Sequence, residues 1–330
     1  MKKVLILGAS GFLGSHLAVR LKNEGHHVVG ADRVAPAFRP IPFDGFVMTD
    51  LRDANQMTSL FNQPYDAVYQ FAAEMGGAGF IFSGENDAEI MHASGLINLN
   101  VAQAFRKSGS KRLFFASSAC VYPTANQNNP EAPHCHEDSV YPASPDSEYG
   151  WEKLFAERLY QSFARQYGFE LTIARLHNVY GPFGVYQGGR EKAPAALCRK
   201  VALAQEGDAI EIWGDGHQTR SFTYIEDCLE GIARLMAAPP VPPINLGSDE
   251  MVSINQLAQM IIELSGKRIA LRHVPGPQGV RGRNSDNRMI REVLGWQPNT
   301  PLQVGLKEVY AWIAQEIKKS NQSQATFVLH

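Results

Sequence analysis

Cysteine is scarce in this chain of 330 residues. There are four, Cys120, Cys135, Cys198 and Cys228, with no C-x-x-C pair among them. That spacing argues against a disulfide framework and a structural zinc site, so reduced thiols are expected. Long apolar runs are missing too, and none approaches the roughly 20 residues that span a bilayer. The N-terminus passes straight into a short apolar run with no signal-peptide h-region, so the chain is expected in the cytoplasm. The formal net charge is only −2 and no basic block occurs, which leaves no electrostatic footprint for nucleic acid or an anionic membrane. There is no internal repeat and no low-complexity linker. What remains is enough chain for one large α/β domain or two modest ones.

What is present begins at once. Val4 to Leu7 form an apolar run that reads as a buried strand. Gly8, Gly11 and Gly14 follow at three-residue spacing, and Phe12, Leu13, Leu17 and Leu21 start a helical stripe. A strand turning sharply into a helix offers unpaired N–H groups and the positive end of the helix dipole, where a pyrophosphate can rest. The glycines would permit the tight turn, the approach of the phosphates and close helix–strand packing. A second strand, His27 to Ala31, ends at Asp32, whose carboxylate can accept hydrogen bonds from an adenosine ribose. This is a dinucleotide site, and Asp32 favours NAD because it would repel a 2′-phosphate.

The pattern continues with a strand at Gly45 to Met48 ending at Asp50-Leu51, a helix over Asp53 to Phe61, and a strand over Asp66 to Phe71. Ala72 and Ala73 come next, small enough for a cofactor to lie across the strand end. Asp87 to Ser108 reads as a long helix, Arg112 to Ala116 as a strand, Tyr149 to Tyr167 as a helix and Glu170 to Arg175 as a strand. This alternation implies a doubly wound parallel sheet, with ligands beyond the carboxyl ends of its strands. Past Asn178 the alternation breaks down. A helix over Ala193 to Glu206, a strand over Ile210 to Trp213, a helix from the Ser253/Gln256 capping box to Leu264 and a last helix capped at Thr300-Pro301 with Gln303 are expected. The organisation read from this is a dinucleotide domain over residues 1–176 and a smaller substrate-binding part over 177–318. Some segments of the latter return to the first, and a loose tail follows from 319.

Tyr149 and Lys153 lie one helical turn apart, on one face. A tyrosine is normally too weak a base near neutral pH, but a nearby cation favours phenolate, and an oxidised nicotinamide would add positive charge. Ser118, at the end of the fifth strand, can bond the same substrate oxygen. Together the three can take a proton from an alcohol as its hydride leaves for NAD. Alone, a Tyr-x-x-x-Lys pair is common on amphipathic helices; the opening glycines and the serine make it a signal.

These residues carry a resemblance. The glycines, Ser117-Ser118, Tyr149 with Lys153, and Asn178-Val179-Tyr180-Gly181-Pro182 resemble the extended short-chain dehydrogenase/reductases that act on nucleotide sugars. Further segments are similar to the GDP-mannose 3,5-epimerases of that family: Ala73 to Gly77, Ser117 to Cys120, Gly188 to Pro194, Trp213 to Gly216, Gln218 to Phe222, Gly247 to Glu250 and Gly279 to Asp286. The likeness runs to about residue 318. Glu74 departs from it, standing where aspartate would be expected, and Thr124 to Pro145 carries little of the pattern.

The resemblance implies a Rossmann fold and NAD as cofactor, held by Gly8, Gly11, Phe12, Leu13, Gly14, Asp32, Asp50, Leu51, Ala72, Tyr149 and Lys153. It implies GDP-mannose as substrate and a homodimer built through the two long helices. It assigns Cys120 and Lys192 as the acid and base that work at C3 and C5 once C4 is a ketone. For Cys120 taken alone, a buried inert thiol is the ordinary fate. The substrate contacts it implies are Gly77, Ser118, Cys120, Asn178, Glu191, Lys192, Ala193, Lys200, Gln218 and Arg220, with Arg283 on the pyrophosphate. His134-Cys135-His136 has metal-binding atoms, but adjacent ligands on an extended loop diverge and no second cluster shows metal-ligand spacing; it reads as a polar surface loop, and no metal is expected. The rival readings are a nucleotide-sugar 4-epimerase, a 4,6-dehydratase (which would carry Asp-Glu where Ala119-Cys120 stands) and a non-catalytic nucleotide-sugar-binding protein.

Overall fold

Short apolar strands buried on both faces need a cover on each side, and the computed structural model, which describes residues 1–327, supplies it. The first half runs β1 (Lys3–Leu7), α1 (Phe12–Asn23), β2 (His27–Asp32), β3 (Gly45–Met48), α2 (Ala54–Leu60) and β4 (Ala67–Gln70). It continues with α3 (Ala78–Ile81), α4 (Asp87–Lys107), β5 (Arg112–Ser118), α5 (Glu148–Tyr167) and β6 (Glu170–Leu176). Then come β7 (Val179–Tyr180), α6 (Ala193–Leu203), β8 (Ala209–Trp213), β9 (Thr219–Ser221), β10 (Thr223–Tyr224), α7 (Ile225–Ala237) and β11 (Ile244–Leu246). The chain ends with β12 (Met251–Ser253), α8 (Ile254–Ser265), β13 (Ala270–Val274), β14 (Gly282–Arg283), α9 (Arg288–Leu294) and α10 (Leu302–Phe327).

Seven strands form one sheet in the order β11-β6-β5-β4-β1-β2-β3, every neighbouring pair parallel. Alternate residues of β1 face opposite cores, as a two-sided sheet requires. Val4 and Ile6 pack with Leu17 and Leu21 of α1 and Ile225, Leu229 and Ile232 of α7. Leu5 and Leu7 pack with Val101 and Phe105 of α4 and Ala156 and Tyr160 of α5. A separate core joins α6, α8 and α10 around Leu197, Ile212, Leu257, Ile261, Leu306 and Ile313. The doubly wound expectation holds, and β11 returns to the large sheet from far along the chain. The strand order reverses between β1 and β4, and the crevice there opens where Gly8 and Ala72 lie.

Several local expectations are corrected. α7 and β11 carry no expectation above, although Ile225, Leu229, Ile232 and Leu235 form a clear stripe. No side chain caps the start of α7; it leaves β10 directly. α6 stops at Leu203 rather than Glu206. α10 starts at Leu302, whose N–H donates to the Glu250 carboxylate at 2.7 Å, so a distant loop supplies this cap. That helix continues to Phe327, through most of the tail read as loose; residues 328–330 lie outside the described residues. Cys135 is buried, not on a polar surface loop, and its carbonyl accepts from the Asn245 side-chain amide. No helix among the described residues is long and apolar enough to cross a membrane.

Candidate active site

All the site residues named from the sequence line one cavity of about 1020 Å³, beyond the C-terminal ends of β1, β4 and β5 and lined on its other side by residues from Asn178 onward. At its cofactor end Gly8 has φ +76, and a Cβ there would lie 2.8 Å from the backbone nitrogen of Ala72. Only glycine fits that turn. A Cβ on Gly14 would strike the Gly8 carbonyl, so α1 approaches β1 as the glycine spacing requires. Asp32 accepts from the Ser10 N–H at 2.9 Å. Arg52 holds Asp50 at 2.7 Å and, with its hydrogen bonds, lowers the Asp50 pKa.

At the catalytic end, β5 delivers Ser118, and a single tight turn over Ala119–Val121 follows. The Ser118 hydroxyl caps that turn, accepting from the Cys120 N–H at 3.2 Å. Tyr149 sits in the first turn of α5, next to Gly150, where any Cβ would collide with the Cys120 carbonyl. Tyr149, Cys120 and Ser118 are thus locked together by backbone packing. The Lys153 ammonium lies 5.6 Å from the Tyr149 ring and 4.9 Å from that of Phe115.

One expectation changes here. Burial raises the Tyr149 pKa, with Cys120 and Glu152 adding to the effect and Ser118 opposing it. Burial also lowers the Lys153 pKa. Burial thus outweighs the neighbouring lysine at this phenol, and the positive charge of an oxidised nicotinamide would act in the opposite direction.

Arg283 was expected at a pyrophosphate. The structure commits its guanidinium to the protein: Nη1 donates to the Cys120 thiol at 3.0 Å, Nη2 to Asp146 at 3.0 Å and Nε to Gln127 at 2.5 Å. The side chain is 4% exposed. Sequence reasoning passed over Asp146 and Gln127. Asp146 stands three residues before Tyr149, and both lie in or beside the stretch with little family pattern.

Lys192 is the N-cap of α6, and burial lowers its pKa while the nearby Cys120 pulls it up. Among the described residues neither Lys192 nor Lys153 has an ion-pair or hydrogen-bond partner for its ammonium. Below its lowered pKa in the folded chain Lys192 is charged in folded and unfolded chains alike, and there the burial cost is fully present. It fades as pH rises toward 10.5, the value in the unfolded chain. Lys192→Met is therefore expected to raise the melting temperature at pH 7, with the gap to wild type closing near pH 10 in scanning calorimetry. A lower melting temperature at pH 7 would contradict it.

The remaining expected contacts are part-occupied. The Asn178 amide donates to the Ser221 carbonyl and Lys200 to the Glu211 carbonyl. Arg220 donates to the carbonyls of Thr219, Gln278 and Val280. The buried Gln218 Oε1 has no partner among the described residues. Glu191 accepts from the Gly189 N–H at 2.7 Å. Gly77 packs so tightly on the Glu191 carbonyl that no side chain fits. Cys135, Cys198 and Cys228 are buried, and burial pushes the Cys135 thiol up to about 11.

The model of the NAD-dependent epimerase/dehydratase family matches residues 4–247. The chain belongs to that family. A GDP-mannose 3,5-epimerase of Arabidopsis thaliana is 46% identical over 319 residues, 96% of this chain and 83% of that protein. GDP-mannose 3,5-epimerase 1 of Oryza sativa subsp. japonica is 44% identical over the same length and shares. Among solved structures, a UDP-glucuronic acid 4-epimerase of Bacillus cereus in complex with UDP-glucuronic acid and NAD superposes with a TM-score of 0.80. It is 25% identical, covering 95% of this chain and 99% of that one. NAD is the family's cofactor, and the cavity fits it: Gly8 and Gly14 let the turn between β1 and α1 close where a Cβ would strike backbone, and the Lys153 ammonium, unpartnered among the described residues, lines the wall.

Proposed function

We propose that this chain is an NAD-dependent GDP-mannose 3,5-epimerase, giving GDP-L-galactose, and GDP-L-gulose where C5 alone inverts. The observation that carries it is that one cavity holds an alcohol-oxidising set and, beside it, a thiol and an amine that alcohol oxidation has no use for. Its near full-length relatives of that name support the same reading.

NAD, when bound, takes and returns the C4 hydride and brings a positive nicotinamide to the site. Tyr149 accepts the C4 hydroxyl proton, Ser118 holds the same oxygen, and Lys153 supplies the fixed charge. The C4 ketone acidifies the hydrogens on C3 and C5. Cys120 and Lys192 then remove and return protons from opposite faces of the ring. Tyr149 finally gives its proton back to O4. A 4-epimerase needs neither Cys120 nor Lys192, and a 4,6-dehydratase would need the acidic pair that Ala119-Cys120 replaces. Incubation with GDP-mannose and NAD, with the sugars resolved by chromatography, tests this. GDP-L-galactose and GDP-L-gulose are the expected products; a 4-epimer or a 4-keto-6-deoxy sugar would replace the reading by its rivals.

In this mechanism Arg283, which lines the cavity, steadies Cys120. Losing a hydrogen bond to a charged group costs about 1.5–3 kcal/mol, so Arg283→Gln should slow C3/C5 exchange by roughly 10–150-fold at saturating GDP-mannose. A raised KM with an unchanged rate at saturation would assign Arg283 to binding alone.

We also infer a homodimer. Met91 and Leu99 of α4 and Trp151 and Phe155 of α5 are exposed on two helices packed together, a face that a second copy would cover as a four-helix bundle. The four free cysteines support the reducing cytoplasm as its setting.

A further inference from the structure

Glu74 follows β4 at the cofactor end of the cavity and is 5% exposed. Its two carboxylate oxygens serve different parts of the molecule. Oε2 takes Arg33 at 3.2 Å, the residue after Asp32. Oε1 takes Arg190 at 2.5 Å, 116 residues further along, in the strap that leads through Glu191 to Lys192. The same strap is docked in further ways. The Gly77 N–H donates to the Arg190 carbonyl at 3.0 Å, the Arg190 guanidinium lies 4.1 Å over the Phe80 ring, and Gly77 packs on the Glu191 carbonyl. The strap's other end is two glycines, Gly188 and Gly189, with φ of +93 and +87. Such residues hinge freely and hold no conformation by themselves. Its order therefore comes from what it docks on: among the described residues Arg190 pairs with Glu74, and Glu191 pairs more loosely with Arg199 at 3.7 Å.

The geometry points to Glu74 as a positioning residue for Lys192: a buried carboxylate gripping Arg190 fixes the strap across the cavity and so sets the lysine opposite Cys120. Arg33 takes the second oxygen and keeps the carboxylate aimed. A buried carboxylate bonded to two guanidiniums is a charge-assisted, directional contact that an amide reproduces poorly. The consequence for chemistry rests on Lys192 acting as proposed above; the clamp itself does not.

Two readouts keep these apart. The first is tryptic cleavage after Arg190 and Lys192 in the protein without substrate, followed by mass spectrometry. Glu74→Gln is expected to speed cleavage at both bonds by about tenfold or more, with Glu74→Asp, which keeps the charge, falling between Gln and wild type. The second is deuterium exchange at C3 and C5 of saturating GDP-mannose, expected to fall by about tenfold or more in Glu74→Gln with little change in KM. Arg190→Gln should lower exchange equally, and the double variant should fall no further, since both break one link. Cleavage unchanged in Glu74→Gln overturns the clamp, whatever the activity. Faster cleavage with exchange undiminished overturns the positioning of Lys192 while leaving the clamp standing. Additive losses in the double variant overturn the link through Arg190. No exchange even in wild type is instead a failure of the proposed function, and the cleavage result still decides the clamp.

Discussion

Tyr149→Phe is expected to abolish turnover of GDP-mannose while NAD and the sugar nucleotide still bind. The phenol is buried and shape-critical, since α5 packs on the Cys120 backbone through Gly150, and phenylalanine preserves that packing. Only the oxygen that receives the C4 proton disappears. It is needed as the proton leaves, so the loss should fall on the rate and not on affinity. General acid–base groups of this kind contribute on the order of 10²–10⁴-fold. The burial that raises the Tyr149 pKa makes water a poor substitute inside the cavity. Binding measured by calorimetry beside single-turnover rates checks this. An equal loss of affinity and rate would remove Tyr149 from its role.

Cys120→Ala separates the proposed activity from its relatives. Ser118, Tyr149 and Lys153 remain, so C4 oxidation should survive and a 4-keto sugar should build up at least transiently. One of the two proton-transfer groups is gone, and epimerisation should fall on the order of 10²–10⁴-fold. Arg283 keeps its bonds to Asp146 and Gln127, so the fold should tolerate the change. Cys120→Ser is the control: it preserves an acceptor for Arg283 but not an ionisable thiol, and should be nearly as slow. If serine restores most of the rate, the residue serves packing and Arg283 alone.

The sheet and the cofactor end were legible because their signals are local. Gly8, Gly11 and Gly14 stand at fixed offsets from a strand, and Gly8 and Gly14 each solve a steric problem that the structure displays. Tyr149 and Lys153 were legible for the same reason, one turn of one helix. What the sequence hid were relations between distant segments. The grip of Arg283 on Cys120 spans 163 residues and is completed by Asp146 and Gln127, neither of which has a distinctive neighbourhood. Glu74 stood out only as a departure from a pattern, and its two arginines come from either side of the cleft. The Tyr149 pKa ran against expectation because spacing reports the neighbouring cation but not the depth of burial, and here burial wins. α7 was overlooked although its stripe is plain, since no capping residue marks its start and β10 runs into it directly.

The central claim is that protons on C3 and C5 exchange with solvent through Cys120 and Lys192. GDP-mannose incubated with the wild-type protein and NAD in deuterated water, then read by NMR, tests it most directly. The expected result is deuterium at C5 and C3 of the recovered sugars, lost together in Cys120→Ala and Lys192→Ala. Turnover without ring deuterium, or exchange at the wild-type rate in Cys120→Ala, would contradict it.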